Sequence, residues 1–429
     1  MITGAALLFI LLAGVPVGIA FTLLVIANAD KWNIDWSVLP SITFDTVTVF
    51  PLLAIPLFIL GGELMSRGGL IRQLTQVCDM LTGWARAPLG HVMVVASALM
   101  GAITGSSVAT VAAIGSTVGK EMMERGYPPG YTAALNASAG LLGVLIPPSI
   151  PLILYGSIVG VSITQLFMAS TLPGIVMMVA FMITHALLAR RLLKDGRELK
   201  PAAVTAAGAA VPVRSRRKTL MAAVPALVLP VLILGGIYSG LFTPTEAAAV
   251  AALYALLVTM ASRMLRLRDL DRIFLNAALS SAAILVIIGF TSIFNRAMVL
   301  EQVPQSIAAF ASGYTESPLV FLLAVNVLLL IVGMFMETNA ATLLMGPLLA
   351  PTAAKYGIDP IHFAIILVTN IELGLLTPPL AANLYVAART NKVAVLELLR
   401  YLGWFLVTCL LVMALITYVP QLSLWYRYI

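Results

Sequence analysis

The stretch Gly143-Val144-Leu145-Ile146-Pro147-Pro148-Ser149-Ile150-Pro151 lies in the middle of a long apolar run and decides the fold. Its three prolines cannot continue a helix, because proline lacks a backbone N–H and its ring blocks the preceding turn. A helix of membrane-crossing length must therefore break near its midpoint. The backbone groups that a break frees inside a bilayer need partners, so such breaks line cavities that hold ions or polar ligands.

The same pattern occurs a second time. The stretch Gly374-Leu375-Leu376-Thr377-Pro378-Pro379 repeats the Gly-x-x-x-Pro-Pro motif 231 positions later. Upstream of the breaks, the polar segment 104–110 aligns with residues 336–342 at an offset of 232. Apolar segments can resemble each other by chance, but these motifs keep their spacing. We therefore predict two repeats, each with a polar segment followed by a broken helix, as in transporters built from internal repeats.

Composition limits the class of protein. Of the 429 residues, 61% are hydrophobic and 10% are charged, whereas a soluble domain has roughly 45–50% apolar residues. This predicts an all-α polytopic membrane protein, with the lipid bilayer as its surroundings. The net charge of +7 clusters in loops, so it reports orientation in the membrane and not nucleic-acid binding. There is no phosphate-binding Gly-x-x-x-x-Gly-Lys-Ser/Thr motif, which argues against ATP hydrolysis by that route.

The repeats can be bounded along the chain. We predict a first inverted repeat at 1–193, a basic cytoplasmic linker at 194–218, a connecting span at 219–240 and a second inverted repeat at 246–429. The first repeat contains a re-entrant hairpin at 89–122 and a broken helix at 131–159; the second contains a hairpin at 318–351 and a broken helix at 361–388. Amphipathic helices at 70–85 and 299–311 are predicted to lie in the membrane interface.

Orientation follows from the basic loops, which should face the cytoplasm. One additional crossing at 219–240 separates the repeats, so the positive charges place the two hairpins on opposite sides of the membrane. Two alternatives stay open at this point. Residues 89–122 could form a single span that tolerates a few hydroxyls, and the helix at 70–85 could pack as in a soluble protein.

The polar tips of the hairpins and the breaks predict a cation site beside an anion site. Hydroxyl and carbonyl oxygens suit a hard cation such as Na⁺, whereas three scattered histidines make a zinc site improbable. Helices that restart after Ser107, Pro148, Asn339 and Pro379 should present N–H groups to an anion such as a carboxylate. The side chains predicted to contact such a substrate are Ser106, Ser149, Thr338, Asn339 and Asn383.

Three acidic residues need separate interpretation. Glu337 and Glu372 lie within apolar runs, where a carboxylate is costly, so each is a candidate for binding a cation or relaying a proton. Glu372 could instead be a structural hydrogen-bonding group. Glu246 follows Thr243-Pro244-Thr245, which is the pattern of a capping box, so we predict that it caps a helix rather than binding an ion.

Several motifs together resemble a known family. They are Thr104-Gly105-Ser106-Ser107-Val108-Ala109-Thr110, Leu145-Ile146-Pro147-Pro148-Ser149, Tyr155-Gly156, Phe242-Thr243-Pro244-Thr245-Glu246-Ala247 and Leu376-Thr377-Pro378-Pro379. Over nearly its whole length, the chain resembles the large membrane subunit of tripartite ATP-independent periplasmic (TRAP) transporters. The resemblance implies an elevator-type, sodium-coupled importer of organic acids in a bacterial inner membrane. It also implies two partners, a small four-helix membrane subunit and a periplasmic substrate-binding protein.

The resemblance also implies two sodium sites, in which several residues would contribute backbone carbonyls. The first set is Thr104, Ser107, Gly143, Ile146 and Pro148. The second set is Gly333, Gly374, Thr377 and Leu380. Thr104 occupies a position where serine is commoner in the family, which keeps the hydroxyl. Glu372 occupies a position where the family usually has an apolar residue, so its role does not follow from the resemblance.

Three other functions remain as alternatives. A stand-alone dicarboxylate carrier of similar build would need no binding protein. A membrane-embedded hydrolase using Ser106 or Ser107 would need a base within reach, and neither histidine nor lysine falls inside the other polar tips. A channel would not need paired breaks from opposite faces. We therefore predict no catalytic residues and a secondary transporter of a small carboxylate.

Overall fold

The structure is a computed structural model that describes residues 15, 17–29, 35–69, 73–75, 77–78, 87–194, 216–379 and 381–428. Within these ranges the ordered elements are helices and no β-strand occurs. Seven helices in the described ranges are long and apolar enough to cross a membrane. The prediction of an all-α, multi-pass membrane protein is therefore confirmed.

The first part of the chain contains ten helices among the described residues. They are α1 Val17–Asn28, α2 Leu39–Val47, α3 Ala54–Arg67, α4 Pro88–Thr104, α5 Ser107–Ile114, α6 Lys120–Glu124, α7 Pro129–Ala139, α8 Leu142–Leu145, α9 Ile150–Val159 and α10 Ile163–Lys194. A 3-10 turn at Phe50–Leu53 leads into α3, and a π-helical turn at Gly115–Gly119 joins α5 to α6.

The second part follows after the undescribed residues 195–215. Its helices are α11 Arg216–Tyr238, α12 Pro244–Ala261, α13 Leu267–Leu300, α14 Val303–Tyr314, α15 Pro318–Phe335, α16 Thr338–Lys355, α17 Pro360–Gly374, α18 Ala382–Thr390 and α19 Val395–Tyr418. Thr243 and Glu246 cap α12 reciprocally, since the Glu246 carboxylate accepts from the Thr243 N–H at 2.8 Å and the Thr243 hydroxyl accepts from the Glu246 N–H at 3.3 Å. The predicted capping box is confirmed.

Helix packing divides most of the molecule into two groups. In the first group, α12 packs along α3, and α13 packs against α1, α2 and α3. In the second group, α7 packs against α18 and α19, while α17 packs against both α15 and α16. Helix α4 packs against α7 and so belongs to the second group, and the two groups meet where α13 contacts α16 and where α3 contacts α4. We call them the α3–α12–α13 group and the α7–α17–α19 group.

The two parts of the chain are interleaved within the second group. Helix α9 packs against α16, and the Tyr155 hydroxyl on α9 donates to the Pro360 carbonyl at the start of α17, at 3.0 Å. At the same helix start, Asp359 caps α17 and forms a 2.8 Å ion pair with Arg427. Residues far apart in sequence therefore fix the position of α17.

Two of the three histidines are neighbours and are not scattered as predicted. The rings of His91 and His185 pack edge to face with 4.7 Å between centroids. His185 also contacts the Tyr131 hydroxyl through Nδ1 at 2.5 Å and the Ala87 carbonyl through Nε2 at 3.0 Å. This buried cluster links α4, α7 and α10. Among the described residues, no group of three His, Cys, Asp or Glu side chains is placed to hold a metal.

Some predicted boundaries differ from the structure. Helix α13 extends to Leu300 and the next helix begins at Val303, so the helix predicted at 299–311 starts and ends later. The separation arises at Gln302, whose φ of +53° interrupts the helix. Helix α16 continues to Lys355, beyond the predicted end of the hairpin, with Pro347 and Pro351 inside it. Most of the helix predicted at 70–85, and residues 195–215 of the predicted linker, lie outside the described residues.

Candidate functional site

The first interruption separates α8 from α9. Helix α8 ends at Leu145 and α9 restarts at Ile150, with Ile146 in an extended conformation between them. The Ile150 N–H donates to the Gly105 carbonyl at 3.3 Å, so the tip between α4 and α5 accepts one amide of the restarted helix. The Ser149 side chain is fully buried and its hydroxyl has no hydrogen-bond partner.

The second interruption separates α17 from α18. Helix α17 ends at Gly374 and α18 begins at Ala382. The Thr377 N–H donates to the Gly374 carbonyl at 2.8 Å. Both interruptions contain a cis proline–proline peptide bond, Pro147–Pro148 in the first and Pro378–Pro379 in the second. Leu380, which was predicted to belong to the second sodium site, lies outside the described residues.

Pairs of glycines bring each tip against its interruption. A Cβ atom on Gly101 of α4 would lie 2.7 Å from the Gly143 Cα atom. A Cβ atom on Gly374 would lie 2.5 Å from the Gly333 Cα atom of α15. Such distances leave no room for a side chain, because they are shorter than van der Waals contact. The same backbone-to-backbone packing therefore occurs at both interruptions, and Gly101 was not identified from the sequence.

Hydroxyl groups concentrate at the first tip, between α4 and α5. The Thr104 hydroxyl donates to the Met100 carbonyl at 3.1 Å and lies 3.3 Å from the Thr110 hydroxyl. Thr110 in turn donates to the Ser106 carbonyl at 2.8 Å. The Ser106 hydroxyl accepts from the Ala109 N–H at 3.4 Å and caps α5. The tip is thus an array of oxygen atoms held by its own hydrogen bonds.

Glu337 has a different role at the second tip, between α15 and α16. Its carboxylate accepts from the backbone N–H groups of Asn339 at 3.0 Å and Ala340 at 3.3 Å, and from the Asn339 side-chain amide at 2.7 Å. It is the N-cap of α16. The expectation of unpaired N–H groups after Asn339 is therefore wrong, since the carboxylate of Glu337 already occupies this helix N-terminus.

Glu372 lies close to the same tip. The Thr338 hydroxyl donates to Glu372 Oε1 at 2.7 Å, while Oε2 has no hydrogen-bond partner. The Ser107 hydroxyl of the first tip lies near enough to interact with this carboxyl group. Glu372 is fully buried within the protein. A carboxyl group of α17 is therefore placed between residues that belong to the two tips.

One cavity joins the two tips and both interruptions. Its volume is about 440 Å³. Seven of the predicted site residues line it, namely Thr104, Ser106, Ser107, Glu337, Thr338, Asn339 and Glu372. Val144 and Ile150 contribute the edges of the first interruption, and Leu375 contributes the second. The cavity is large enough for a small organic molecule together with ions.

The other predicted residues stand outside the lining. Gly143, Ile146, Pro148, Ser149, Gly333, Gly374, Thr377 and Asn383 are described but are not part of the cavity wall. Gly143 and Gly374 nonetheless lie directly behind the tips, as their close contacts show. Asn383 is fully buried, and neither its amide oxygen nor its amide nitrogen has a hydrogen-bond partner.

The opposite wall of the cavity was not predicted. It is formed by the α3–α12–α13 group, through Glu63 and Ser66 of α3 and Ser280 of α13. Gly62 of α3 approaches the first tip so closely that a Cβ atom added to it would lie 3.2 Å from Thr104 Cγ2. The polar residues of α3 and α13 are isolated in sequence, and only the packing of the two groups shows that they face the tips.

Comparison with known proteins identifies relatives over almost the full chain. The family model of the tripartite ATP-independent periplasmic transporter, DctM component, matches residues 5–422. The C4-dicarboxylate TRAP transporter large permease protein DctM of Pseudomonas aeruginosa is 39% identical over 385 residues, covering 89% of this chain and 87% of that protein. The isethionate TRAP transporter permease protein DctMQ of Oleidesulfovibrio alaskensis is 37% identical, covering 97% of this chain and 64% of that protein.

A solved structure shares the fold. The crystal structure of the Alcanivorax borkumensis YdaH transporter has a TM-score of 0.63 to this chain at 15% sequence identity. The similarity covers 93% of this chain and 90% of that one. At this level of identity the similarity concerns the arrangement of helices alone.

Proposed function

Because this chain belongs to the family of tripartite ATP-independent periplasmic transporters, DctM component, we propose that it imports a small organic acid together with Na⁺. The observation that supports this most directly is the cavity of about 440 Å³ where the tips and interruptions meet. An interrupted helix exposes backbone carbonyl and N–H groups inside a membrane protein. A cavity between two such helices can hold the ions or polar molecules that these groups bind.

The first proposed sodium site lies behind the tip between α4 and α5. Thr104 and Ser107 provide hydroxyl oxygens, and Gly143, Ile146 and Pro148 provide backbone carbonyls of the interruption. The close approach of Gly143 to this tip supports the assignment, since its Cβ atom would lie 2.7 Å from the Ser106 carbonyl oxygen. Hard oxygen ligands of this kind favour an alkali cation over a transition metal.

The second proposed sodium site lies at the equivalent place beside α15. Gly333, Gly374, Thr377 and Leu380 are its proposed ligands, largely through backbone carbonyls. The direct contact between Gly333 and Gly374 supports this assignment because it brings the ends of α15 and α17 together. The carbonyl of Gly374 already accepts from Thr377 at 2.8 Å, and a carbonyl oxygen has a second lone pair with which it can bind a cation.

We propose that the substrate acid binds in the cavity in front of these two sites. Ser106, Thr338 and Asn339 line the cavity and provide polar contacts. Ser149 and Asn383, which lie outside the wall, are proposed to reach the substrate only if the interruptions move. The relatives' names include C4-dicarboxylate, which carries carboxylate groups, and isethionate, which carries a sulfonate group, so the proposal is made for a small organic acid and not for one particular acid.

The proposed mechanism is an elevator movement of the α7–α17–α19 group against the α3–α12–α13 group. In this mechanism the re-entrant hairpins and broken helices of the inverted repeats at 1–193 and 246–429 carry the site across the membrane, while the α3–α12–α13 group stays in place. The position of the cavity supports it, since one wall comes from each group. A site at the boundary between two packed bodies changes its exposure when one body slides past the other.

We propose that two partners work with the chain in a bacterial inner membrane. One is a small four-helix membrane subunit that braces the α3–α12–α13 group. The other is a periplasmic protein that binds the acid and delivers it. The relative named DctMQ is a longer protein, and the similarity covers only 64% of it. This supports the small subunit, because a partner that is a separate protein in one transporter can be fused to the large subunit in another.

The proposal is tested by uptake into proteoliposomes that contain this chain and its two partner proteins. We expect uptake of the cognate acid to require an inward Na⁺ gradient and to stop when K⁺ replaces Na⁺. Uptake that is unaffected by this replacement would refute sodium coupling. Uptake by the chain without its partners would identify a stand-alone carrier instead.

A further inference from the structure

The Glu372 carboxyl group is unusual among the acidic side chains of the cavity. It is 0% exposed, its Oε1 atom accepts from the Thr338 hydroxyl at 2.7 Å, and the Ser107 hydroxyl lies close enough to interact with the carboxyl group. The second oxygen, Oε2, is buried and has no partner. A carboxylate in such surroundings is costly unless a cationic group or several donors satisfy it.

The other acidic residues of the cavity are already satisfied. Glu63 forms an ion pair with Arg67 at 3.2 Å. Glu337 accepts hydrogen bonds from two backbone N–H groups and from one side-chain amide, and its carboxylate thereby caps α16. No lysine, arginine or histidine occurs among the described residues that line the cavity. Glu372 therefore faces a cavity in which the protein itself supplies no cation.

The surroundings of Glu372 offer further oxygen ligands. The Thr338 hydroxyl is bonded to the carboxyl group, and the Ser107 hydroxyl of the other tip lies beside it. Asn339 also lines the cavity, and its buried amide oxygen has no hydrogen-bond partner. A carboxylate surrounded by hydroxyl and amide oxygens is a suitable set of ligands for a monovalent cation or an ammonium group.

We propose that Glu372 binds a monovalent cationic group in the cavity, in addition to the two sodium sites proposed above. The shared chemistry is a single positive charge that binds Oε2, either as a third Na⁺ or as the ammonium group of an amino-substituted acid. This proposal rests on the proposed function, because it assigns a further ligand to the same cavity.

The first arm of the test asks whether the cation bound by Glu372 is Na⁺. The thermal unfolding midpoint of the purified chain is followed against Na⁺ concentration for the wild type, Glu372→Gln and the control Glu124→Gln. Glu124 is exposed and lies outside the cavity. If the cation is Na⁺, Glu372→Gln should need about tenfold more Na⁺ for half of the stabilisation, as expected when an ionic ligand becomes neutral. The control should match the wild type.

The second arm asks, at saturating Na⁺, whether Glu372 binds the ammonium group of a substrate. Succinate, malate and aspartate share a four-carbon diacid skeleton and differ in carrying hydrogen, hydroxyl or ammonium on one carbon. If Glu372 binds an ammonium group, aspartate should stabilise the wild type more than succinate does, and Glu372→Gln should remove this difference. Glutamine keeps an oxygen that can accept from Thr338, so the variant tests the charge and not the hydrogen bond.

Either positive arm supports the proposal and identifies the source of the cation. The proposal is overturned if Glu372→Gln changes neither the Na⁺ requirement nor the preference for aspartate over succinate. Glu372→Leu provides a second variant should the glutamine variant fail to fold, because α17 is apolar around this position. Failure of the proposed function is recognised separately, since the wild type itself would then show no response to Na⁺.

Discussion

At the scale of single residues, the three glutamates Glu246, Glu337 and Glu372 carry the same side chain but differ in what their carboxyl groups do. The capping role of Glu246 could be predicted because a capping box has a fixed spacing of Thr and Glu. Glu337 also caps a helix, but its sequence context lacks that spacing, so it resembled an ion ligand. The surroundings of Glu372 depend on Thr338 and Ser107, which come from other elements and could not be paired with it from sequence.

The hydrogen bond between Thr338 and Glu372 should contribute to stability. Thr338→Val keeps the shape of the side chain but removes the 2.7 Å hydrogen bond to Oε1 of the buried Glu372 carboxyl group. We expect a loss of about 1–3 kcal/mol, because the Glu372 oxygen would then be buried without a partner. The measurement is the thermal unfolding midpoint in detergent.

Thr390→Val is the matched control for Thr338→Val. The Thr390 hydroxyl donates only to the Val386 carbonyl of its own helix, so its loss leaves no buried carboxyl group unpaired. The control should change the midpoint much less than Thr338→Val does. Equal midpoints for the two variants would show that Thr338 does not support Glu372.

At the scale of elements, the interruptions follow from the chemistry of proline, which is visible in sequence. The predicted breaks fall within residues 146–149 and 375–381 of the structure. The glycines that press each tip against its interruption were only partly predictable. Gly143 and Gly374 belong to the repeated motif, whereas Gly101 is one glycine in an apolar helix until its contact with Gly143 is seen. The end of α13 also escaped prediction, because Gln302 gives no sequence signal for a positive φ.

The contact between Gly333 and Gly374 predicts the effect of adding one methyl group. In Gly374→Ala the new Cβ atom would lie 2.5 Å from the Gly333 Cα atom and 2.8 Å from the Leu330 carbonyl oxygen. These are backbone atoms, so they cannot move aside as a flexible side chain would. We expect destabilisation of about 1–3 kcal/mol from overpacking, together with loss of sodium-dependent uptake.

Gly235→Ala provides the comparison, since no heavy atom outside its own helix lies within 4 Å of the added Cβ. Alanine also has a higher helix propensity than glycine. This variant should therefore unfold at or above the wild-type temperature and retain uptake. A Gly374→Ala protein as stable and active as Gly235→Ala would contradict the close packing at the second interruption.

At the scale of the whole molecule, the sequence predicted the class of fold and one side of the cavity. It did not predict the wall formed by Glu63, Ser66 and Ser280, because these residues carry no motif and come from helices distant in sequence. Hydrophobicity and proline spacing reflect local constraints, which a sequence shows directly. The packing of two groups of helices is a long-range property, and it decides which isolated polar residues face the site.

The elevator proposal predicts that joining the two groups stops transport. Asn295 of α13 donates to the Leu343 carbonyl of α16 at 2.9 Å, so these two positions face each other across the contact between the groups, and a thiol-reactive cross-linker with a reducible spacer can join cysteines placed there. We expect cross-linking of Asn295→Cys/Leu343→Cys to abolish uptake and reductive cleavage of the spacer to restore it. Each single variant, treated in the same way, is the control for any reaction of an introduced cysteine with the native Cys78 or Cys409. Normal uptake by a fully cross-linked protein would mean that the groups do not move relative to each other.

The central claim is that oxygens at the two interruptions and their tips bind Na⁺, and equilibrium binding of radioactive sodium to the purified chain tests it most directly. The account predicts saturable binding that K⁺ does not displace. Thr104→Val and Thr377→Val should each weaken this binding, and the double variant should weaken it further, because each substitution removes a hydroxyl oxygen at one proposed site while the backbone carbonyls stay in place. A wild-type chain that shows no saturable sodium binding, or a double variant that binds as much as the wild type, would contradict the account.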